Sequence, residues 1–389
     1  MFTREAAKKL KQLAAGFPVV AVTGPRQTGK TTLVRQVFPD HEYLSLEDLD
    51  VRAEATADPR GFLTRCRDGV VLDEVQHVPA LFSYLQTLVD GTGEMGRFVL
   101  TGSQNFLLLE RVAQSLAGRV GLMELLPLRL DELSGLKAPP ATLDEWLFTG
   151  FFPPVHDRKL APTDWYPRYV QTYIDRDVRS LKNIPDLATF QKFVRLCAGR
   201  IGNLLNLQSL ATDCGIAVNT AKAWLSVLEA SYLVFRLQPY HRNFSKRLVK
   251  HPKLYFCDPG LACALLGLQD ASQVAGHYLR GALFENLVLL EHIKSRFNRG
   301  LPANWFFWRD NTGHEVDLLV DQGTALLPVE VKSGETLHPE FYDGLEWFTQ
   351  LAGLKADAGL LVHGGARGAR TPRGRAVSWR GLSGDFTNP

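Results

Sequence analysis

At 389 residues the chain has room for two to three domains of roughly 150 residues each, every one with its own core, and a single small module is excluded. A hydrophobic content of 45%, a charged content of 22% and a mean hydropathy of -0.08 are those of a soluble globular chain, which excludes collagen-like, mucin-like and largely disordered classes. A net charge of +3 names no partner by itself. No apolar run approaches 18 residues, and the opening MFTREAAKKLKQLAAGF interleaves acids and bases. The expectation is a cytoplasmic protein with neither a signal peptide nor a membrane partner. Five widely spaced cysteines without a C-x-x-C pair read as reduced, mostly buried thiols rather than a zinc ribbon or a disulfide framework.

From Pro18 to about Leu133 short β-rich runs (VVAVTG, EYLSL, GVVLDE, RFVLTGS, VGLMELLPL) alternate with helical patterns (KTTLVRQVF, LFSYLQTLV, FLLLERVAQSL). That alternation predicts an α/β domain with a parallel sheet over residues 1–135. Residues 136–203 read as a helical lid or connector broken by prolines. Residues 204–266 have a helix-turn-helix cadence, LQSLATDCG then VNTAKAWLSVLEAS, followed by two strand-like runs, which together predict a winged helix. From 275 to 389 a long helix, LFENLVLLEHIKSRF, leads into a hairpin, EVDLLVDQGTALLPVEVKSG, then another helix and a glycine- and arginine-rich end, a second α/β domain.

The strongest motif is Gly24-Pro25-Arg26-Gln27-Thr28-Gly29-Lys30-Thr31, with Thr32 next, directly between a strand and a helix. Glycines let backbone N–H groups curl around phosphates, Lys30 supplies charge to the β and γ phosphates, and the Thr31 hydroxyl ligates Mg²⁺. At the end of GVVLDE, Asp73 is the expected second Mg²⁺ ligand and Glu74 the residue that orients and activates water for attack on ATP. Ser103, Gln104 or Asn105, after the next strand, would sense the γ-phosphate. Arg119, in SLAGRVG, is a candidate for neutralising transition-state charge in cis or from a neighbouring subunit of a homo-oligomer, against the commoner role of an arginine in a surface ion pair.

These residues resemble the prokaryotic AAA+ ATPases fused to a C-terminal domain of the PD-(D/E)xK nuclease-like superfamily. GPRQTGKTTL, LDEVQ, LTGSQN, SLAGR, LLNLQSLA, TAKAWLSVLEASYLV, YFCDPGLACALLG, FENLV and PVEVKSG are similar to the family's blocks in order. Two blocks depart from it: Gly150-Phe151-Phe152-Pro153-Pro154, where a carboxylate is usual, and Asp258-Pro259-Gly260-Leu261. The resemblance implies an AAA+ P-loop ATPase domain, a lid, a winged helix and a nuclease-like domain.

In that last domain Asp317, Glu330 and Lys332 form D-x12-E-x-K. A hairpin turning near Gln322-Gly323 puts Asp317 opposite about Pro328, with the two acids in diagonal contact on one face. They could share a second divalent metal, Mg²⁺ or Mn²⁺, with Glu285 completing the set and Lys332 positioning a nucleophile. The alternative is a structural ion-pair cluster in a protein-binding module, which would make the chain a nucleotide-driven switch. Between Arg236 and Lys253 six basic residues occur without an acid, and five arginines follow from Arg367 to Arg380. Arg242, Lys246, Arg247 and Lys250 are the candidate contacts to DNA or RNA backbone, unless the run is simply a solvated face.

Overall fold

The computed structural model describes residues 2–66, 68–103, 116–178, 184, 186–240, 249–382 and 386. The chain forms two compact units. One comprises Met1–Leu128 with Ala230–Tyr232 and Arg296–Pro302, and the other Arg129–Glu229, Leu233–Ser295 and Ala303–Pro389.

The first unit is built on a five-stranded sheet in the order β2-β3-β4-β1-β5, formed by β1 Val19–Thr23, β2 Glu42–Ser45, β3 Val70–Asp73, β4 Phe98–Gly102 and β5 Val120–Glu124. Every neighbouring pair is parallel, as the alternating pattern requires. β1, β3 and β4 are buried at every residue because helices cover both faces, which is why they read as unbroken apolar runs. On one face Val20, Val22, Val71, Val99 and Met123 pack with Leu10, Leu33 and Val34. On the other, Val19, Ala21, Val70, Leu72, Phe98 and Leu100 pack with Phe62, Phe82 and Leu85. The expected helix FLLLERVAQSL falls mostly in 104–115, outside the described residues.

The second unit opens with short helices, Leu143–Thr149, Pro153–Asp157 and Pro162–Tyr169, then a π-helical turn, Val170–Val178. Helices Leu187–Ala198, Leu207–Cys214 and Val218–Ala230 follow, with β6 Val234–Leu237 antiparallel to β7 Lys253–Phe256. Gly215 takes the left-handed conformation (φ 80°) that ends Leu207–Cys214 and makes the turn. Trp224 is buried edge-on to Phe190 and Phe193, with ring centroids 5.3 and 5.4 Å away. Asn219 and Lys222 remain exposed.

The long helix Arg280–Asn298 leads to a mixed six-stranded sheet in the order β12-β13-β11-β10-β9-β8. Its strands are β8 Trp305–Arg309, β9 Glu315–Asp321, β10 Leu326–Lys332, β11 Leu360–His363, β12 Ala369–Thr371 and β13 Gly374–Ser378. The helix Asp343–Ala352 is the crossover between parallel β10 and β11. Four of these strands escaped the sequence reading. In β9–β10 the register corrects it: Leu319, not Asp317, lies opposite Pro328. The turn extends to Ala325, whose carbonyl accepts from Gln322 N–H at 2.9 Å. A slip of two residues leaves every side chain on its face but brings Asp317 opposite Glu330 instead of diagonal to it.

All five cysteines are buried free thiols. The two departing blocks meet at Asp258, which is wholly buried and accepts from Phe151 N–H (2.7 Å), Tyr166 O–H (2.7 Å) and Leu261 N–H (2.9 Å). Gly150, at φ +67°, has no space for a Cβ, which would collide with Tyr166 Oη and Asp258 Oδ1. Gly150→Ala is therefore expected to lower unfolding stability by about 2 kcal/mol or more, through strain and a disrupted buried carboxylate; an unchanged urea midpoint would contradict this.

Candidate nucleotide site and C-terminal acid cluster

Parallel strands deliver their C-terminal ends to one edge of the sheet, and the phosphate-loop motif leaves that edge after Thr23. Gly24 (φ +142°) lies so close to the Leu125 carbonyl that any Cβ would clash, and Gly29 is left-handed (φ +90°) at the start of the helix Lys30–Val37. Thr28 Oγ1 donates to Pro25 O at 3.0 Å, closing the loop on itself. Lys30 is buried, and its ammonium donates to the carbonyls of Gly24 (2.9 Å) and Pro25 (2.8 Å). Burial brings its pKa down to about 8, against the opposing pull of Glu74 and Asp73. Arg26 is half-buried, 3.5 Å from Ser103 Oγ and 3.5 Å from Glu47, while Gln27 and Thr32 are exposed.

Asp73 ends β3 and collects three hydroxyls. Its Oδ2 accepts from Thr31 at 2.9 Å and from Tyr43 at 2.6 Å, and its Oδ1 accepts from Thr101. Burial, then the hydrogen bond to Asp73, pushes the Tyr43 hydroxyl well above its ordinary pKa, so it stays a donor. Glu74 sits just past the strand in the left-handed region (φ 53°). Its Oε2 accepts from Ser103 N–H (3.2 Å), Ser103 Oγ–H (3.0 Å) and Gln76 Nε2–H. Of the three candidate phosphate sensors, Ser103 thus touches Glu74, and Gln104 and Asn105 lie outside the described residues.

Arg119 is not brought to the phosphate loop. It precedes β5, and its carbonyl accepts from Val19 N–H at the start of β1. It stands at the opposite edge of the sheet from the phosphate loop, separated by five strand residues at about 3.3 Å each, roughly 16 Å. Its guanidinium is engaged by both carboxylate oxygens of Asp90 at 2.5 and 2.9 Å. Its contacts are thus with Asp90 and the start of β1, not with the phosphate loop of the same chain.

Sequence reasoning missed Arg4, Tyr43 and Thr101. Arg4 is 7% exposed and donates to Thr28 O and Leu126 O, each at 2.8 Å, tying the loop to the chain after β5. Thr101 was legible as a polar residue in an otherwise apolar buried strand; Arg4 and Tyr43 carried no local signal.

In the second unit Asp317, Glu330, Lys332 and Glu285 are brought together, but around lysines. Lys332 Nζ lies 2.5 Å from Glu330 Oε1 and 3.9 Å from Asp317 Oδ2, which also accepts from Val331 N–H at 2.9 Å. Lys253 Nζ lies 2.9 Å from Glu285 Oε1 and 3.8 Å from Asp317 Oδ1, and pairs with Glu315. Burial raises Glu330 to about 8, with Asp317 adding to the shift and Lys332 opposing it. Burial likewise raises Glu285 to about 7, against the pull of Lys253 and the Tyr255 hydroxyl that donates to it. Among the described residues no group of three or more His, Cys, Asp or Glu side chains is arranged to hold a metal. The expected second metal at Asp317, Glu330 and Glu285 is not shown: ammonium groups lie where the carboxylates converge.

The acid-free run does not survive folding as a uniform patch. Its two ends are neutralised, Arg236 by Glu229 and Lys253 by the acids just named. Lys250 is exposed, and Arg242, Lys246 and Arg247 lie outside the described residues. In the C-terminal run Arg373 pairs with Asp343 at 2.8 Å and with Glu346.

A family model described as an AAA domain matches residues 16–134, and two described as domains of unknown function, DUF8612 and DUF4143, match residues 140–272 and 280–381. The uncharacterized protein Rv2008c of Mycobacterium tuberculosis is 32% identical over 335 residues, covering 86% of this chain and 74% of its own. The uncharacterized protein MJ1544 of Methanocaldococcus jannaschii is 22% identical over 351 residues, 82% of this chain and 76% of its own. Among solved structures, the Walker-type ATPase PABY2304 of Pyrococcus abyssi aligns with a TM-score of 0.47 at 14% identity, over 68% of this chain and 96% of that one.

The geometry of Arg4 yields a test. Its two charged hydrogen bonds hold the loop's shape, so Arg4→Met should weaken ATP binding roughly tenfold, on the order of 1.4 kcal/mol, with the thermal midpoint retained to within a few degrees. Equal affinities by calorimetry would remove Arg4 from the site.

Proposed function

Since the chain belongs to the same family as the mycobacterial protein and carries its AAA domain at residues 16–134, we propose that this AAA-type ATPase is Mg²⁺-dependent and couples its nucleotide state to nucleic-acid contact by the second unit. The observation that carries the ATPase chemistry is the convergence of Lys30, Thr31, Asp73, Glu74 and Ser103 at one edge of the parallel sheet, with Thr31 2.9 Å from Asp73. These residues fit the nucleotide and its metal. The loop has backbone where side chains would obstruct, a buried ammonium bonded to carbonyls and a hydroxyl–carboxylate pair at hydrogen-bond distance. Bound there, Mg²⁺ would supply positive charge to the phosphates. Lys30 would exchange the carbonyls of Gly24 and Pro25 for phosphate oxygens, and Thr31 and Asp73 would hold the metal. Glu74 would orient the attacking water once released from Ser103 and Gln76. Any contribution of Arg119 would come from a neighbouring copy of the chain.

Helices Leu207–Cys214 and Val218–Ala230 followed by an antiparallel strand pair, with Leu187–Ala198 packed just before them, support reading residues 204–266 as a winged helix, and the helix, mixed sheet and crossover helix after it support a PD-(D/E)xK-like domain. Exposed Asn219, Lys222 and Lys250 suit contact to a phosphate backbone more than readout of bases.

Lys30→Ala is expected to weaken nucleotide binding, whereas Glu74→Gln binds ATP but does not turn it over, because cradling phosphate and activating water are separate tasks. Normal hydrolysis by Glu74→Gln would reject the assignment of the base. Nucleic-acid affinity should fall steeply between 50 and 200 mM salt, by on the order of tenfold or more, and drop again when Arg242, Lys246, Arg247 and Lys250 are replaced together. Binding that ignores both salt and the quadruple replacement would leave the run a solvated face.

A further inference from the structure

The acids of the second unit converge on a cation that the protein brings itself. Lys253 opens β7, in the strand pair that precedes the C-terminal domain, whereas Glu285 belongs to the long helix and Glu315 and Asp317 to β9. Its ammonium meets carboxylates from both elements, and the residue is 3% exposed. We propose that Lys253 is the resident cation of this cluster, standing where a divalent metal would have to sit, so that the site is a lysine-held latch between the β6–β7 pair and the C-terminal sheet and not a metal centre.

Two arguments support this. The first is the commitment of the oxygens. A small divalent ion needs carboxylate oxygens at about 2.0–2.6 Å, stripped of competing donors. Glu285 Oε1 and Asp317 Oδ1 face Lys253, Glu330 Oε1 is bonded by Lys332, and Asp317 Oδ2 takes the Val331 amide. The remaining Glu330 oxygen, Oε2, is buried without a hydrogen-bond partner, and it lies toward Gly344, whose added Cβ would be 3.4 Å from it, at the start of the crossover helix. The second is charge. Four carboxylates, Glu285, Glu315, Asp317 and Glu330, already meet three cations, since Arg309 pairs with Glu315 at 2.9 Å. A divalent ion added with Lys253 in place would sit within a few ångströms of an ammonium in a poorly solvated site, where like charges repel strongly.

Access is not what keeps metal out. A cavity of about 450 Å³ reaches the cluster, lined by Lys253, Glu285, Asp317, Arg309 and Tyr278 among others. The lysine itself is the obstacle, and it belongs to a different structural element from the acids it neutralises. Opening the site to metal therefore requires breaking the contact between Lys253 and these acids. With the latch closed the C-terminal domain holds no metal at these acids.

Electron paramagnetic resonance titration with Mn²⁺ on the full-length, nucleotide-free chain tests this. Wild type and Asp317→Asn should take up equal amounts of Mn²⁺. Lys253→Met should take up about one equivalent more, lost again in Lys253→Met/Asp317→Asn, and Mn²⁺ should raise the melting temperature of Lys253→Met but not of wild type. If removing the lysine alone prevents folding, Lys253→Met/Glu315→Gln, which removes one charge of each sign, should show the same gain. Wild type binding one equivalent more than Asp317→Asn would overturn the proposal, as would a folded Lys253 variant that gains none. ATP turnover in the same preparations reports on the phosphate loop separately, so failure of the ATPase reading would leave the Mn²⁺ comparison intact.

Discussion

Everything at the nucleotide site depends on strands β1, β3 and β4 running the same way with β4 in the middle. Parallel strands end on a common edge, so three segments far apart in sequence release their last residues into one small volume. Asp73 illustrates the result: it accepts hydroxyls from the helix after β1, from β2 and from β4. A carboxylate held by three donors is fixed in orientation before any metal arrives, and fixed orientation is what electrostatic catalysis requires. The same polarity explains why Arg119 is remote. A residue that begins a strand of a parallel sheet is a strand length away from one that ends it.

The second unit solves a different problem, the burial of charge. Asp258 is satisfied by two backbone amides and the Tyr166 hydroxyl. Glu291, 1% exposed, lies 3.2 Å from Lys294 and accepts from Leu130 N–H at 3.1 Å. Arg280 reaches Asp144 at 2.7 Å and the Ser333 carbonyl at 2.9 Å. In each case at least one partner comes from a segment more than fifty residues away, so burial is tolerable only in the folded arrangement. Buried pairs of this kind contribute modest net stability, but losing one partner costs about 3–5 kcal/mol. They discriminate the native packing from near alternatives in which an acid would be left alone.

How much of this was legible in the sequence follows from the range of the interactions. The phosphate loop, the acidic pair at the end of β3 and all five parallel strands were readable, because glycine spacing and the alternation of short β-rich runs with helical patterns are local properties. Of the C-terminal sheet only β9 and β10 were read. β8, WFFWR, lacks a clean alternation, and β12 and β13 lie in a stretch whose glycines and arginines look like a tail. There Arg373 pairs with Asp343 and Glu346 of the crossover helix. The register of β9 and β10 was missed by two residues because turn length, which sets it, was judged from a single glycine.

Charge was the least legible property, and the reason is general. A run of basic residues reads as a surface because the eye sums over neighbours in sequence, whereas a folded protein neutralises charge over neighbours in space. Arg236 finds its acid seven residues back, and Lys253 finds its acids 32 to 64 residues ahead. The D-x12-E-x-K spacing is equally blind to a lysine outside it. A carboxylate pair in a hairpin states a demand for positive charge, and the demand can be met by a metal, by the lysine of the motif or by one from another element. Only the three-dimensional arrangement says which, and here Lys253 has 3% of its surface left to solvent. A cation that these acids meet is thus supplied by a residue that precedes the C-terminal sheet in the chain.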